Sequence, residues 1–279
     1  MRVLARFAEM KSRAEKIAML TAYDAPQARA QEAADIDVIL VGDSVGVTML
    51  GYASEREVTL ADMAHHTRAV RRGAPDTFMI SDLPFASYDN PDQALASAKV
   101  LQQAGADAVK FEGAYPDIVR ALTAAGIPAC GHLGYEPQTG ERRVHGKTLE
   151  EASKIFADAK ALDEAGVFML VLELAPLELA AAVTRAIRAP TIGIGAGPET
   201  DGQVLVFPDV LGYIEKNFRH NRRYAEVGAT MRQASAAYKT DVRERAFPTQ
   251  ANCAAMPPEV LAQFTAEVEF TAPATNRQG

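Results

Sequence analysis

Short runs of aliphatic and β-branched residues alternate with longer stretches of helical spacing from about residue 17 to residue 235. Eight of these runs read as strands: 19–24, 38–43, 78–82, 108–112, 127–132, 168–173, 191–195 and 204–209. Between them, 91–104, 148–165 and 177–187 carry the Ala, Leu, Glu and Lys content and the apolar spacing of amphipathic helices. Thr59 and Asp62 stand at capping-box spacing, with Asp in place of the usual Glu. Gly73, Gly105, Gly126 and Gly166 fall where a helix has to stop before the next strand. An open doubly wound sheet would alternate in the same way, but eight βα units without a second domain favour closure. The expected fold is an α/β protein, a (β/α)8 TIM barrel with an N-terminal helix. One barrel domain is expected over 1–248, followed by an extended, partly disordered tail over 249–279 with one helical stretch at 258–268.

Composition narrows the function classes. A net charge of −7 over 279 residues argues against nucleic-acid binding, because neutralising phosphates takes a concentrated excess of Lys and Arg. Cys130 and Cys253 are too few for a disulfide framework or a zinc cage. The first fifteen residues lack an apolar signal segment, and no apolar run approaches the ~20 residues of a membrane span. A cytoplasmic protein acting on a small molecule, without membrane or nucleic-acid partners, is the expectation.

The chemistry is suggested by how the strands end. Asp43, Asp82, Glu112, His132 and Glu173 terminate consecutive predicted strands, and in a barrel every such terminus opens on one catalytic face. A single Asp there is as often the N-cap of the next helix, and Asp24 and Asp209 are read that way. Several carboxylates at one mouth repel one another unless a cation neutralises them. Asp43, Asp82 and Glu112 therefore read as a magnesium site, since hard oxygen donors with places left for water and an oxygen-rich substrate suit that ion better than zinc. Period-two alternation puts Lys110 and Glu112 on the inward face of their strand, with Val109 and Phe111 facing the helices. A buried structural ion pair is the competing account of that pair. The glycine-rich turn 193–197 matches neither the dinucleotide fingerprint nor the Walker loop, and reads as close backbone approach or a tight corner. His65 and His66 read as helix-surface residues, and Cys130 as a small core residue.

In these same blocks the chain resembles the ketopantoate hydroxymethyltransferases. The matching residues are Thr21-Ala22-Tyr23-Asp24, Val41-Gly42-Asp43-Ser44-Val45-Gly46, His66-Thr67-Arg68-Ala69-Val70, Asp82-Leu83-Pro84-Phe85 and Val109-Lys110-Phe111-Glu112-Gly113. Further along come Gly131-His132-Leu133-Gly134 with Pro137-Gln138, Leu172-Glu173, and 192–197 with Asp201-Gly202-Gln203. The resemblance spans roughly residues 15 to 210 and implies a barrel of the phosphoenolpyruvate/pyruvate type. It implies that Asp43 and Asp82 bind Mg2+ directly, with Glu112 in the metal site, and that Glu173 is the general base. It further implies that Asp43, Ser44, Asp82, Lys110 and His132 hold a 2-oxoacid substrate. The implied reaction transfers a hydroxymethyl group from 5,10-methylenetetrahydrofolate to 3-methyl-2-oxobutanoate in pantothenate biosynthesis. The implied assembly is a ring-based homo-oligomer, a decamer.

The chain departs from the family pattern at 141–147, where His145 takes the usual Gln place, and again after Phe247-Pro248. These changes bear on the folate pocket and subunit contacts and leave other readings open. One is a paralogue with another one-carbon donor or oxoacid, and another is a catalytically silent barrel. A third is a carbon–carbon lyase or mutase of the same superfamily, against which the lack of a Cys near the second to fifth strand ends, Cys130 apart, counts.

Overall fold

The computed structural model describes residues 2–139, 143–214 and 218–271. Eight parallel strands close into a barrel in chain order: β1 (Ile17–Thr21), β2 (Val38–Val41), β3 (Phe78–Asp82), β4 (Ala108–Glu112), β5 (Ala129–Gly134), β6 (Met169–Glu173), β7 (Thr191–Ile194) and β8 (Gly202–Leu205). The last strand pairs back onto the first, with Ile17 opposite Gly202. Helix α1 (Arg2–Ser12) precedes the barrel. The connections carry α2 (Ala25–Ala33), α3 (Leu60–Gly73), α4 (Pro91–Gln103), α5 (Pro116–Ala124), α6 (Leu149–Ala165) and α7 (Leu177–Ala186). A single helical turn, α8 (Phe207–Val210), follows β8. Among the described residues no helix is long and apolar enough to cross a membrane.

Strand parity builds two hydrophobic layers. Val38, Leu40, Ile80, Ala108, Cys130, Met169 and Val171 fill the barrel interior, where Phe7 and Met10 of α1 join them. Phe7 meets Phe78 edge-on at 5.2 Å, and Phe78 meets Phe168 at 5.7 Å. Ile39, Val41, Met79, Val109, Phe111, Leu170 and Leu172 point the other way and pack with residues of the surrounding helices such as Met63, Leu101, Leu122 and Leu162. Val109 and Phe111 thus face the helices, as the alternation predicts.

The local signals hold with particular exceptions. Thr59 accepts from the Asp62 amide and Asp62 accepts from the Thr59 amide, which closes the capping box at the start of α3. Asp24 caps α2 by accepting from the Gln27 amide at 2.8 Å. Gly105, Gly126 and Gly166 are left-handed after their helices. Gly73 is instead the last residue of α3, and its need is room: a Cβ there would fall 2.2 Å from the Ala25 carbonyl oxygen. Two strands are displaced by proline, which has no N–H to give a ladder. β5 starts at Ala129, after Pro128, rather than at 127. β8 occupies Gly202–Leu205 rather than 204–209, because Pro208 and its neighbours turn into α8, where the Phe207 amide bonds the Thr21 hydroxyl at 3.0 Å.

By its packing the chain falls into two compact units, 1–226 and 227–279, a division earlier than the expected 248/249. β8 has already closed the barrel by Leu205, so the later helices have no strand to cover. The second unit contains α9 (Val227–Arg243) and α10 (Pro258–Thr271), the latter overlapping the expected helical stretch. The rest of the expected tail, from 272 onward, lies outside the described residues, as do Glu141 and Arg142 of the divergent loop.

Candidate active site

Continuing the inward parity of the strands by one step turns the apolar interior into a charged layer. Asp82 follows Ile80, Lys110 and Glu112 follow Ala108, His132 follows Cys130, and Glu173 follows Val171. Register brings them side by side: Asp82 lies opposite Lys110, and Glu112 opposite His132. Asp43 and Ser44 sit just past the end of β2. All seven line one cavity of about 390 Å³ at the C-terminal mouth of the barrel. The structure therefore brings together every residue singled out as a site candidate.

Lys110 Nζ lies 3.0 Å from Asp82 Oδ1 and 3.4 Å from His132 Nδ1. The Asp43 amide donates to Asp82 Oδ2 at 3.1 Å. An ammonium only donates, so His132 Nδ1 must accept, which leaves the proton on Nε2. That nitrogen is 3.3 Å from Glu173 Oε2, close but not aligned as a hydrogen bond. Ser44 Oγ shares a hydrogen bond of 2.8 Å with the Tyr23 hydroxyl.

Gln138, within a short turn after β5, was not among the expected site residues, yet it ties the acidic groups together. Its backbone amide donates to Glu112 Oε2 at 2.9 Å, and its side-chain amide donates to Asp43 Oδ2 at 2.6 Å and to the Leu83 carbonyl at 3.2 Å. Tyr88 donates back to its Oε1. Only its place in the Pro137-Gln138 block could have drawn attention to it.

The electrostatics are those of too many buried carboxylates for one cation. Burial raises Asp82, Lys110 opposes that and Asp43 adds to it, leaving its carboxyl at about 7. Burial and Asp43 together raise Glu112 well above the usual carboxylate range, against the pull of Lys110. Burial alone would lower Lys110, but Asp82, Asp43 and Glu112 outweigh it and hold the ammonium charged. His132 is held neutral, first by burial and then by Lys110. Burial lifts Glu173 to about 7, with Lys110 and His220 pulling downward.

Asp43, Asp82 and Glu112 are the groups that could hold a divalent cation. Their oxygen donors and excess negative charge fit a hard ion. Among the described residues no three His, Cys, Asp or Glu side chains converge closely enough to cage one by themselves. That arrangement suits an ion held by one or two carboxylates, with water and ligand completing the shell.

One other expectation changes. Asp209 does not cap a helix: Val206 precedes α8, and Asp209 is its third residue, buried at the edge of the same cavity. The glycine-rich turn serves close packing. Gly195 is left-handed (φ +64°), and a Cβ on it would fall 2.9 Å from the His220 Cβ, so the turn seats His220 over the mouth. His66 bonds the Tyr23 carbonyl at 2.7 Å, and burial pushes the Cys130 thiol up to about 12.

Comparison with known proteins gives the family. The chain matches the family described as ketopantoate hydroxymethyltransferase over residues 2–250. It is 48% identical over 261 residues to the 3-methyl-2-oxobutanoate hydroxymethyltransferase of Shouchella clausii (strain KSM-K16), covering 90% of this chain and 94% of that one. It is also 50% identical over 250 residues to the enzyme of that name from Roseiflexus sp. (strain RS-1), covering 86% and 90%. Among solved structures, a phosphonopyruvate hydrolase in complex with oxalate and Mg++ shares the fold with a TM-score of 0.60 at 10% identity, covering 96% and 97%. A 2,3-dimethylmalate lyase of the PEP mutase/isocitrate lyase superfamily gives 0.58 at 16% identity, covering 97% and 99%. The chain is an enzyme of the (β/α)8 fold and belongs to the ketopantoate hydroxymethyltransferase family.

Proposed function

We propose that the protein transfers a hydroxymethyl group from 5,10-methylenetetrahydrofolate to 3-methyl-2-oxobutanoate, giving 2-dehydropantoate for pantothenate biosynthesis, with Mg2+ held by Asp43 and Asp82 and supported by Glu112. The observation that carries this reading is a division of labour among the carboxylates of one cavity. Three share one ammonium, while a fourth, Glu173, stands across the same cavity with its carboxyl near neutrality. When bound, the ion supplies an electrophilic centre that polarises the keto group of a chelating 2-oxoacid and acidifies its C3–H.

The protein's own groups do the rest. Glu173, poised near pH 7, accepts the C3 proton. Lys110 faces the negative charge that develops on the substrate oxygens, and its ion pair with Asp82 fixes the ammonium at 3.0 Å. Ser44, steadied by Tyr23, and neutral His132 supply polar contacts for the oxoacid. The carbon nucleophile so formed then attacks the one-carbon unit of the folate, and one water is consumed overall.

Incubation with 3-methyl-2-oxobutanoate, methylenetetrahydrofolate and magnesium is expected to yield dehydropantoate, and no turnover across a panel of one-carbon donors would refute the assignment. Asp82→Asn is expected to weaken magnesium and oxoacid binding together, by at least about 10-fold each, because the ligand chelates the ion. Calorimetric titration checks it: a loss confined to the oxoacid would remove Asp82 from the metal site.

The proposal extends to a homo-oligomer of the family's decameric type. α10 presents Val260, Leu261, Phe264 and Val268, each 46–51% exposed, and an apolar stripe of that kind favours self-association. A solution mass well above the 29.9 kDa of one chain is expected.

A further inference from the structure

The cavity has two unlike halves. β2 to β6 contribute the charged layer, whereas β7, β8 and β1 contribute Ile194, Val204, Leu205 and Thr21. One carboxylate interrupts the second half. Asp209 is 8% exposed, lines the cavity, and keeps its Oδ1 buried with no hydrogen-bond partner among the described residues. Its backbone is fully engaged: the amide bonds the Val206 carbonyl, and its carbonyl accepts from the Gly212 amide and from Asn221 Nδ2 at 3.0 Å. The fold therefore uses the residue's main chain and leaves Oδ1 of its carboxylate without a donor among the described residues. Arg223 opposes the rise that burial imposes on this acid, but it donates to the Ile214 carbonyl at 2.8 Å and lies beside Glu226. A buried carboxylate oxygen without a donor costs on the order of 1–3 kcal/mol, more when charged, so the position calls for a donor from outside the fold.

Beside it the same cavity offers flat aromatic surface. Phe218 and His220 stack with centroids 5.6 Å apart and planes 19° from parallel, and both line the cavity. The left-handed Gly195 lets His220 settle against β7, and the Tyr224 amide ties the segment back to the Val210 carbonyl at 2.8 Å. A compact 2-oxoacid chelated at the charged half would leave this half of the 390 Å³ cavity to a second molecule.

We infer that Asp209 is the polar anchor of a second subsite, which takes a flat heteroaromatic ring presenting adjacent N–H donors, and that the pterin of the one-carbon donor seats there. Two parallel N–H donors on a ring edge match the two acceptor oxygens of a carboxylate, while the ring face packs on the Phe218–His220 surface. The inference rests on the folate reading proposed above and adds where the folate binds and by what contact.

The test titrates tetrahydrofolate, which lacks the reactive carbon, into the full-length protein and its variants by calorimetry. Exchange of deuterium from C3 of 3-methyl-2-oxobutanoate, measured without folate, reads the other half of the cavity. Asp209→Asn turns one acceptor into a donor that opposes the ring edge and is expected to weaken tetrahydrofolate binding by about 10- to 100-fold, with C3 exchange unchanged within about twofold. Phe218→Leu, which removes the flat surface and not the carboxylate, is expected to weaken tetrahydrofolate binding to a lesser degree with the same unchanged exchange, and it carries the test if the Asn variant does not fold. Unchanged tetrahydrofolate affinity in the variants overturns the subsite and leaves the reaction standing. Parallel loss of folate binding and exchange overturns it too, since it marks a structural role. Wild-type protein that exchanges C3 but binds no tetrahydrofolate overturns the folate reading and the subsite with it.

Discussion

Glu173→Gln is expected to slow exchange of the C3 proton of 3-methyl-2-oxobutanoate by about 10²- to 10⁴-fold while leaving oxoacid binding within a few-fold of wild type. Gln keeps the shape of the side chain and its place at the end of β6, but it cannot accept the proton. The effect should be large because the environment has tuned this acid: burial raises its carboxyl to about 7, and Lys110 and His220 hold it there against a further rise. The base works only as the carboxylate, so wild-type exchange is expected to climb as pH rises through about 7 and then level, roughly a tenth of the plateau remaining one unit below. The Gln variant should lose that limb of the profile along with the rate. Deuterium wash-out followed by proton NMR between pH 5.5 and 8.5 measures both. Undiminished exchange in the variant would reassign the base, and a rate that falls with an unchanged pH profile would mean that Glu173 positions the substrate rather than titrating.

What the spacing of residues encodes, and what it does not, have one physical origin. Inward or outward orientation is a local property of period two, so Lys110 and Glu112 could be placed inward, and Val109 and Phe111 outward, from four adjacent letters. Acidic strand ends became neighbours as soon as the barrel closed in chain order, because parallel register sets Asp82 beside Lys110 and Glu112 beside His132. Contacts made by loops obey no period. Gln138 reaches Asp43 across 95 residues, through a side chain whose direction depends on where the turn after β5 folds back. Asp209 has the sequence signature of a helix cap, and only the extra turn of α8, imposed by Pro208, moves it from the cap position to the third residue and so to the cavity edge. The turn at 193–197 shows its glycines plainly, yet the reason for Gly195 is His220, twenty-five positions on. Elements and their faces were thus readable from spacing, whereas the groups that finish the site come from irregular segments.

Lys110→Met should be the most disruptive single change to the site. The substitution keeps an unbranched chain of similar length but removes the ammonium shared by Asp82, Asp43 and Glu112. Removing one partner of a buried ion pair leaves its charge uncompensated, for which about 3–5 kcal/mol is the usual loss. For a compact unit of this size that corresponds to a melting temperature lower by on the order of 10 °C. The pH dependence identifies the cause. Asp82 and Glu112 have folded-state values raised above those of an unfolded chain, so the folded form binds protons more tightly; the unfavourable contribution of Asp82 is fully present above about 7 and fades as pH falls toward 4, and that of Glu112 has the same sign. Loss of the ammonium pushes both higher still. The variant's deficit is therefore expected to be greatest near pH 8 and clearly smaller near pH 5, whereas a deficit from lost packing alone would not change with pH. Thermal unfolding of both proteins in chelator-treated buffer at the two pH values separates these cases. In the same variant, C3 exchange is expected to fall by about 10²- to 10³-fold even at temperatures where it is fully folded, because the ammonium no longer meets the charge developing on the substrate oxygens. A stable variant with normal exchange would return Lys110 to the role of a structural ion-pair partner and leave charge stabilisation to the metal site alone.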